Sequence, residues 1–334
     1  MRLGVSYFGV RDLRHARSDL DEIADAGFTD VIHTFSEHDL RYHRGDVARL
    51  VAETRARGLG ATVDPWGVGG LFGGEAYSEL ALTDLTCRQV DASGRSVPAA
   101  CPNAPATRDL LRRWTHAALE LGPDRLFWDE PHFYIGALRE GPSSPCCRCA
   151  ACEEAWRAAG GASPLPPEGD ADLARFRVQS LRRLLEIAIA EARPANGVRH
   201  TLCLLPRGEY AAGGSDDWDA FATLDGLDRL ATDPYWMARP VEPADFVRRH
   251  AAPLAALCER TGRTLEVWIQ GIRIAAGREG DIESAAAAAV ECGAESVAFW
   301  SFRGTESMSW LACGDPDAAW AAMKNAVRTF ANAG

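Results

Sequence analysis

The sequence is short of positive charge. It carries 36 Lys and Arg residues against 47 Asp and Glu residues, which gives a formal net charge of −11. Nucleic acids and anionic membrane surfaces are bound by clustered Lys and Arg side chains, which displace counterions from the phosphates. The charge balance therefore argues against both as partners.

Long apolar runs are also missing. No stretch approaches the roughly 18 continuous apolar residues of a membrane-spanning helix. The first residues, "MRLGVSYFGVRDLRHARSD", lack the apolar core of a secretory signal peptide. We therefore expect a cytoplasmic protein, in which thiols stay reduced. These patterns leave open whether the chain forms a homo-oligomer.

Glycine motifs that bind nucleotides are absent as well. Neither GxGxxG nor GxxxxGK[ST] follows the first predicted strand, "RLGVSYFG". Both motifs shape a strand-to-helix turn around phosphate groups. Their absence argues against a nucleotide-binding open sheet, and we expect no organic cofactor.

Strand and helix patterns alternate along the whole chain. The eight predicted strands are "RLGVSYFG", "DVIHTF", "LGATVDPW", "DRLFWDEP", "VRHTLCLLP", "LDRLATDPYW", "TLEVWIQG" and "ESVAFWSFRG". Nearly all are separated by amphipathic helical segments, which is the pattern of a parallel α/β fold. Eight repeats that end in a helix favour a (β/α)₈ TIM barrel, with residues 1–334 as a single domain.

Two of the predicted loops are unusually long. They run from Pro65 to Pro105 after the third strand and from Pro131 to about Gly169 after the fourth. Loops of this length are usually functional or disordered. The first opens with "GVGGLFGG", which indicates either a mobile lid or a plain surface loop. Its end, "QVDASGRSVPAACPN", predicts a small hairpin that turns at "ASG".

The stretch "PCCRCAACEEAW" places four of the ten cysteines within seven residues. A reducing compartment disfavours disulfides, and a radical-type iron–sulfur motif has another spacing, C-x₃-C-x₂-C near the first strand. Cys147, Cys149 and Cys152 follow the fourth strand, whereas Cys101 precedes the third long helix. A helix and the next barrel strand return the chain to the same face, so the four thiols should converge. Cys146 is an alternative to Cys147.

Four thiolates indicate a structural zinc ion, because they leave no open coordination position for a substrate. Such an ion would fasten the loops at about 65–105 and 131–169 into one subdomain.

The segments "CPNAPATRDLLRRW", "WDEPHF" and "CCRCAAC" together resemble the zinc-carrying β-galactosidases of glycoside hydrolase clan A. The resemblance is specific over roughly residues 98–156 and architectural elsewhere. It implies that Glu130, at the end of the fourth strand, is the acid/base residue. Asp129 stands where the clan has Asn, and Gln270 stands where its nucleophilic glutamate ends the seventh strand. Glu266 lies four residues earlier, about 13 Å deeper, and is expected to be a paired acid inside the barrel.

The second carboxyl group must then come from another strand end, because active sites of this fold lie where the strands end. Glycoside hydrolysis uses two carboxyl groups, about 5–5.5 Å apart for retention or about 6.5–9.5 Å apart for inversion. Asp233, in "TDPYW", is the best candidate, and Asp129 is the next. A pair on the fourth and sixth strands also resembles retaining α-galactosidases, so the anomer stays open.

Further residues near the strand ends are candidates for binding a carbohydrate. They are Asp64, Trp66, His132, Tyr235, Gln270 and Trp300. Asp64 is expected to contact sugar hydroxyls, and the tryptophans offer stacking faces, as does Trp236. The prediction is a glycosidase that acts on a small glycoside or oligosaccharide. The alternatives are a catalytically silent carbohydrate-binding barrel, suggested by Gln270, or another barrel reaction such as isomerisation or lysis.

Overall fold

The computed structural model describes residues 1–136, 144–193, 197–237 and 239–331. Residues 137–143 of the second predicted long loop lie outside the described residues. None of the described helices combines the length and the apolar character needed to cross a bilayer.

Eight parallel strands close into a barrel, as the sequence predicts. In order around the barrel they are β1 (Arg2–Tyr7), β10 (Ser296–Trp300), β9 (Thr264–Gln270), β8 (Arg229–Thr232), β7 (Arg199–Leu204), β6 (Arg125–Trp128), β3 (Gly60–Asp64) and β2 (Asp30–Thr34). The third and fourth predicted strands are therefore β3 and β6. All eight predicted strands are confirmed, and the fold is an α/β TIM barrel.

Helices surround the barrel. The longer ones are α1 (Leu13–Asp25), α2 (Arg44–Ala56), α4 (Pro105–Glu120), α6 (Ala171–Ala192), α8 (Pro243–Thr261), α9 (Gly280–Glu291) and α10 (Pro316–Ala331). Three short ones, α3 (Glu79–Thr83), α5 (Ala150–Ala158) and α7 (Trp218–Ala222), lie in loops that the sequence patterns left unassigned. Local chemistry sets several ends: Asp12 caps α1 through the backbone N–H of Arg14, and Gly262 closes α8 in the left-handed conformation.

The barrel interior is layered, because alternate residues of each strand point inward. The lowest layer is polar. There the Arg229 guanidinium and the Glu266 carboxylate form a 2.6 Å ion pair, and Ser296 Oγ donates to Glu266 over 2.7 Å. Glu266 is thus a paired acid inside the barrel, as predicted. The next layer is apolar and contains Phe127 and Trp268, whose rings are 5.0 Å apart.

The long loop after β3 is folded rather than structureless. It contains α3 and a two-stranded antiparallel hairpin of β4 (Arg88–Val90) and β5 (Ser96–Ala100), so the predicted hairpin is confirmed. The glycine-rich segment at its start is neither an exposed lid nor a surface loop. Val68, Leu71 and Phe72 are buried in the main core, and the Glu37 carboxylate accepts a 2.8 Å hydrogen bond from the Gly69 N–H.

Candidate functional site

Four carboxyl groups lie together where the barrel strands end. Asp64, Asp129 and Asp233 continue the inward-facing positions of β3, β6 and β8, one layer above the apolar residues, and Glu130 follows Asp129. Asp64 is completely buried and Asp233 is 6% exposed, whereas Asp129 and Glu130 are half-buried. The structure therefore brings all the predicted catalytic acids to one place.

Glu130 and Asp233 share a side-chain hydrogen bond. Burial raises the pKa of Asp233 to about 7, and the bond to Glu130 opposes that rise. A hydrogen bond lowers the pKa of an acid when it is donated to the ionised form. Two carboxyl groups in hydrogen-bond contact share one proton, because one of them must be protonated to donate. The Cys203 thiol acts on the Asp233 carboxylate in the same direction.

Glu130 is held in an unusual backbone conformation. Its φ angle is +41°, in the left-handed region that is uncommon for residues other than glycine. Its N–H donates a 3.1 Å hydrogen bond to the carbonyl of Cys203 on β7. This bond anchors the residue beside the neighbouring strand.

The remaining two acids favour the neutral form. Burial raises the pKa of Asp64 well above its ordinary value, and the charges of Asp129 and Glu130 raise it further. Burial and the charge of Glu130 do the same for Asp129. Neither carboxyl oxygen of the Asp64 side chain has a hydrogen-bond partner among the described residues. The Asp64 carboxyl is therefore available to form hydrogen bonds with a bound ligand.

The glycine-rich segment covers the acids from one side, and two glycines make the close approach. A Cβ atom on Gly73 would lie 2.2 Å from Asp129 Oδ2 and 2.9 Å from Glu130 Oε2. A Cβ on Gly74, whose φ is +104°, would lie 1.7 Å from the Trp66 ring. The backbone N–H of Gly73 also donates to the Asp129 carbonyl over 3.1 Å. This segment is a wall of the site, and its glycines are needed for space.

A row of aromatic rings leads from the apolar layer to the mouth. Trp300 lies 6.1 Å from Trp268 and is stacked on Phe8 at 5.2 Å, and Phe8 lies 5.4 Å from the half-buried Trp66. The Trp66 Nε1 donor has no partner among the described residues. Trp66 and Trp300 therefore lie where the sequence predicts them. Trp236 instead packs in the outer core, among residues that the helices contribute.

Gln270 is fully engaged by the backbone of two loops. Its Oε1 accepts a 2.8 Å hydrogen bond from the Met237 N–H, and its Nε2 donates over 2.9 Å to the Ile272 carbonyl. The side chain is buried, with 1% of its surface exposed. It therefore ties the loops after β8 and β9 together.

His132 and Tyr235 border the acids. The backbone N–H of His132 donates over 2.9 Å to the Leu71 carbonyl, and the ring Nδ1 contacts the Glu130 carbonyl. Burial raises the pKa of Tyr235 well above its ordinary value, and the charge of Asp233 adds to the rise. The Arg239 guanidinium donates to the Tyr235 carbonyl over 3.0 Å. These contacts fix two loops at the mouth.

Four buried thiols form a second cluster. The Sγ atoms of Cys101, Cys147, Cys149 and Cys152 all lie within 4.8 Å of one another. The Sγ atoms of Cys101 and Cys152 are 3.4 Å apart, far beyond the roughly 2.05 Å of a disulfide. The predicted convergence of these four residues is confirmed. Cys146 is buried too, but it is not a member of this group.

The geometry fits a tetrahedral zinc site. Zinc–sulfur bonds of about 2.3 Å in a tetrahedron place the sulfurs about 3.8 Å apart, inside the observed range. Three N–H groups donate to the sulfurs, as expected around thiolates. Val90 N lies 3.4 Å from Cys147 Sγ, Asn103 N lies 3.4 Å from Cys101 Sγ, and Asn103 Nδ2 lies 3.3 Å from Cys152 Sγ. These residues can hold a metal ion, whose role would be to join the loops.

The thiol cluster is connected to the acids through the hairpin. Gln89 on β4 donates to the Ala100 carbonyl over 3.0 Å and accepts from the Tyr134 N–H over 2.9 Å. Position 134 follows Glu130 by four residues, and a Cβ on Gly70 would lie 3.1 Å from the Cα of Ala99 on β5. The hairpin therefore supports both the segment after β6 and the glycine-rich wall.

Some residues of the site gave no clear sequence signal. The Arg239 guanidinium donates a 2.8 Å hydrogen bond to the Tyr210 hydroxyl. Burial raises the pKa of Tyr210, and the nearby acids Asp233 and Glu130 add to the rise. The sequence pattern indicates only that Cys203 is a small buried hydrophobic residue of its strand. Only the inward register of β7, which places it level with the acids, could have indicated its contact with Asp233.

Comparisons with known proteins establish the fold of the chain. No family model matches the chain, and no curated protein matches its sequence. Among solved structures, an endo-1,4-beta-mannanase from Rhizomucor miehei is 12% identical and covers 99% of this chain and 95% of its own, with a TM-score of 0.59.

Two further structures are similar to the same extent. A Bacteroidetes-affiliated GH5 cellulase linked with a polysaccharide utilization locus is 11% identical over 98% of this chain and 91% of its own, with a TM-score of 0.57. A D-allulose 3-epimerase from Methylomonas sp. is 14% identical over 100% and 97%, with a TM-score of 0.50. At these sequence identities the similarity establishes the barrel fold, and the reaction must be inferred from the residues of the site.

Proposed function

We propose that the chain is a glycoside hydrolase in which Glu130 is the proton donor and Asp233 is the nucleophile. The observation that carries this proposal is the hydrogen-bonded carboxyl pair at the barrel mouth. The structural likeness to a mannanase and a cellulase supports it, as does the resemblance of residues 98–156 to the zinc-carrying β-galactosidases.

The pair performs hydrolysis in two steps. The Glu130 carboxylic acid protonates the glycosidic oxygen while the Asp233 carboxylate attacks the anomeric carbon, so the leaving alcohol departs and a glycosyl ester forms on Asp233. The Glu130 carboxylate then takes a proton from a water molecule, which attacks the same carbon and releases Asp233. Carboxyls in hydrogen-bond contact are nearer to the retaining separation of about 5–5.5 Å than to the inverting one. Retention of configuration is therefore expected.

The other groups assist. Asp129, whose pKa burial raises well above its ordinary value, would donate a hydrogen bond beside the pair. The unpartnered Asp64 carboxyl and Trp66 indole would bind hydroxyl groups of the sugar, and Trp300 would stack on its apolar face. A zinc ion held by the four thiolates would fix the hairpin behind the glycine-rich wall and take no part in the reaction.

The test uses Glu130→Gln and Asp233→Asn on a panel of α- and β-linked aryl glycosides and oligosaccharides. Asp233→Asn should abolish turnover. Glu130→Gln should reduce turnover least for aryl glycosides with acidic phenols, which leave without a proton, and most for oligosaccharides. Glu306→Gln, an exposed acid on the loop after β10, is the matched control. Equal loss on both substrate classes in Glu130→Gln would refute the assigned role.

The second candidate is a barrel that binds carbohydrate without turnover. It is favoured by Gln270, whose amide stands at the clan's nucleophile position and is bonded to two backbone groups. It predicts saturable sugar binding, no turnover on the panel, and unchanged affinity in Glu130→Gln.

A further inference from the structure

We infer that Trp310 forms an additional sugar-binding position outside the barrel mouth, so that the substrate is an oligosaccharide that extends past the acids. This inference rests on the proposed function. It concerns a surface on the loop after β10 that lies apart from the carboxyl pair.

Trp310 is the most exposed large hydrophobic side chain among the described residues, with 73% of its surface in contact with solvent. Its loop follows the carboxyl end of a barrel strand, so it lies on the same face as the acids. A single exposed aromatic ring is ordinary on a protein surface, so what distinguishes Trp310 is how the ring is held and what its loop contacts.

The indole is held in place rather than free. The Arg273 guanidinium lies over the ring at 5.0 Å from its centroid, which covers one face and leaves the other available. The backbone on both sides is fixed: the Arg273 N–H donates to the Leu311 carbonyl over 2.8 Å, and the Ala312 N–H donates to Ser309 over 3.2 Å. A prearranged aromatic face loses little entropy when a ligand stacks on it.

A continuous set of contacts joins this ring to the acids. Ser309 Oγ lies 2.7 Å from both carboxylate oxygens of Glu75, which bridges the loops after β10 and β3. Glu75 directly follows Gly74, which touches Trp66, and Gly73, which touches Asp129. Met308 and Leu311, on either side of Trp310, pack against the aromatic cluster that contains Trp300. The loop that carries Trp310 is therefore bonded to the glycine-rich wall and packed against the aromatic cluster of the proposed sugar site.

These contacts favour a sugar ring of the same glycan as the occupant. The proposed sugar site is lined by aromatic rings and hydroxyl-binding groups, and a glycan longer than one sugar would extend toward this loop. The apolar face of a pyranose matches one open face of an indole in size. A second copy of the chain is the competing occupant, and the experiment distinguishes the two.

The experiment compares wild type with Trp310→Ala and Trp310→Phe, and uses Tyr42→Ala, another exposed aromatic on the mouth side, as control. Stacking that removes about 55 Å² of apolar surface from water corresponds to roughly a tenfold change. Trp310→Ala should lower kcat/KM about tenfold for oligosaccharides of three or more units and leave an aryl monoglycoside unchanged. Trp310→Phe should restore most of the loss, and Tyr42→Ala should behave as wild type.

Binding and oligomeric state are measured on the same proteins by calorimetry and light scattering. Oligosaccharide affinity that falls in Trp310→Ala without turnover in any variant would sustain the inference while the hydrolase proposal fails. Glu130-dependent turnover with no oligosaccharide effect in Trp310→Ala would overturn the inference and leave the hydrolase intact. A dimer that Trp310→Ala dissociates would also overturn it, because the ring would then be an interface between copies.

Discussion

The carboxyl of Asp233 should make the folded protein less stable as the pH rises. Burial raises its pKa to about 7, whereas an exposed aspartate titrates near 3.8. Between these values the native state holds a proton that the unfolded state has lost, so the free energy of unfolding falls by about 1.36 kcal/mol per pH unit. Above pH 7 the contribution levels off. The whole window amounts to about 4 kcal/mol.

The assay is urea unfolding of wild type and Asp233→Asn at pH 6 and at pH 8.5. Both pH values lie above the isoelectric point of about 5.3. Asparagine keeps the shape and the acceptor but cannot ionise. Asp233→Asn should therefore gain about 1.4 kcal/mol relative to wild type between the two pH values. Asp225→Asn, at an 86% exposed carboxyl, should show no such gain. If the two proteins differed in unfolding free energy by the same amount at both pH values, the reasoning would be refuted.

Three other outcomes are expected. Cys101→Ser should reduce bound zinc from stoichiometric to trace in elemental analysis and lower the unfolding free energy by about 3 kcal/mol or more; retained zinc would contradict the ligand set. Gly73→Ala should lower kcat at least tenfold at full zinc content, because its Cβ would lie 2.2 Å from Asp129 Oδ2, while Gly280→Ala, with nothing within 4 Å, should be silent. Aryl uronides should be turned over at least a hundredfold more slowly than neutral analogues, since one like charge about 5 Å away costs roughly 3 kcal/mol; equal rates would contradict a negatively charged mouth.

The sequence was a good guide to the barrel because strand and helix periodicity are local properties. The eight strands and the β4–β5 hairpin follow from runs of alternating residues and from the turn at "ASG". The convergence of Cys101 with Cys149 was predictable for the same reason: barrel connectivity returns each loop to one face. The short helices α3, α5 and α7 carry too few turns to produce a periodic signal.

The environment of the site was beyond such reasoning. Glycines in "GVGGLFGG" indicated mobility, yet here they allow close approach to Asp129 and Trp66. The sharing of a proton between Glu130 and Asp233 depends on burial and on neighbouring groups from four strands. None of these is encoded within a window of adjacent residues.

The apolar layer of Phe127 and Trp268 has a consequence for how such a protein can change over evolutionary time. It separates the Arg229–Glu266 pair from the carboxyls at the mouth by about 13 Å, four residues along a strand. Substitutions in the upper layer therefore leave the lower ion pair largely undisturbed. New specificities can arise on the mouth while the opposite end keeps the barrel closed, and a designer could exchange the upper layer as a unit.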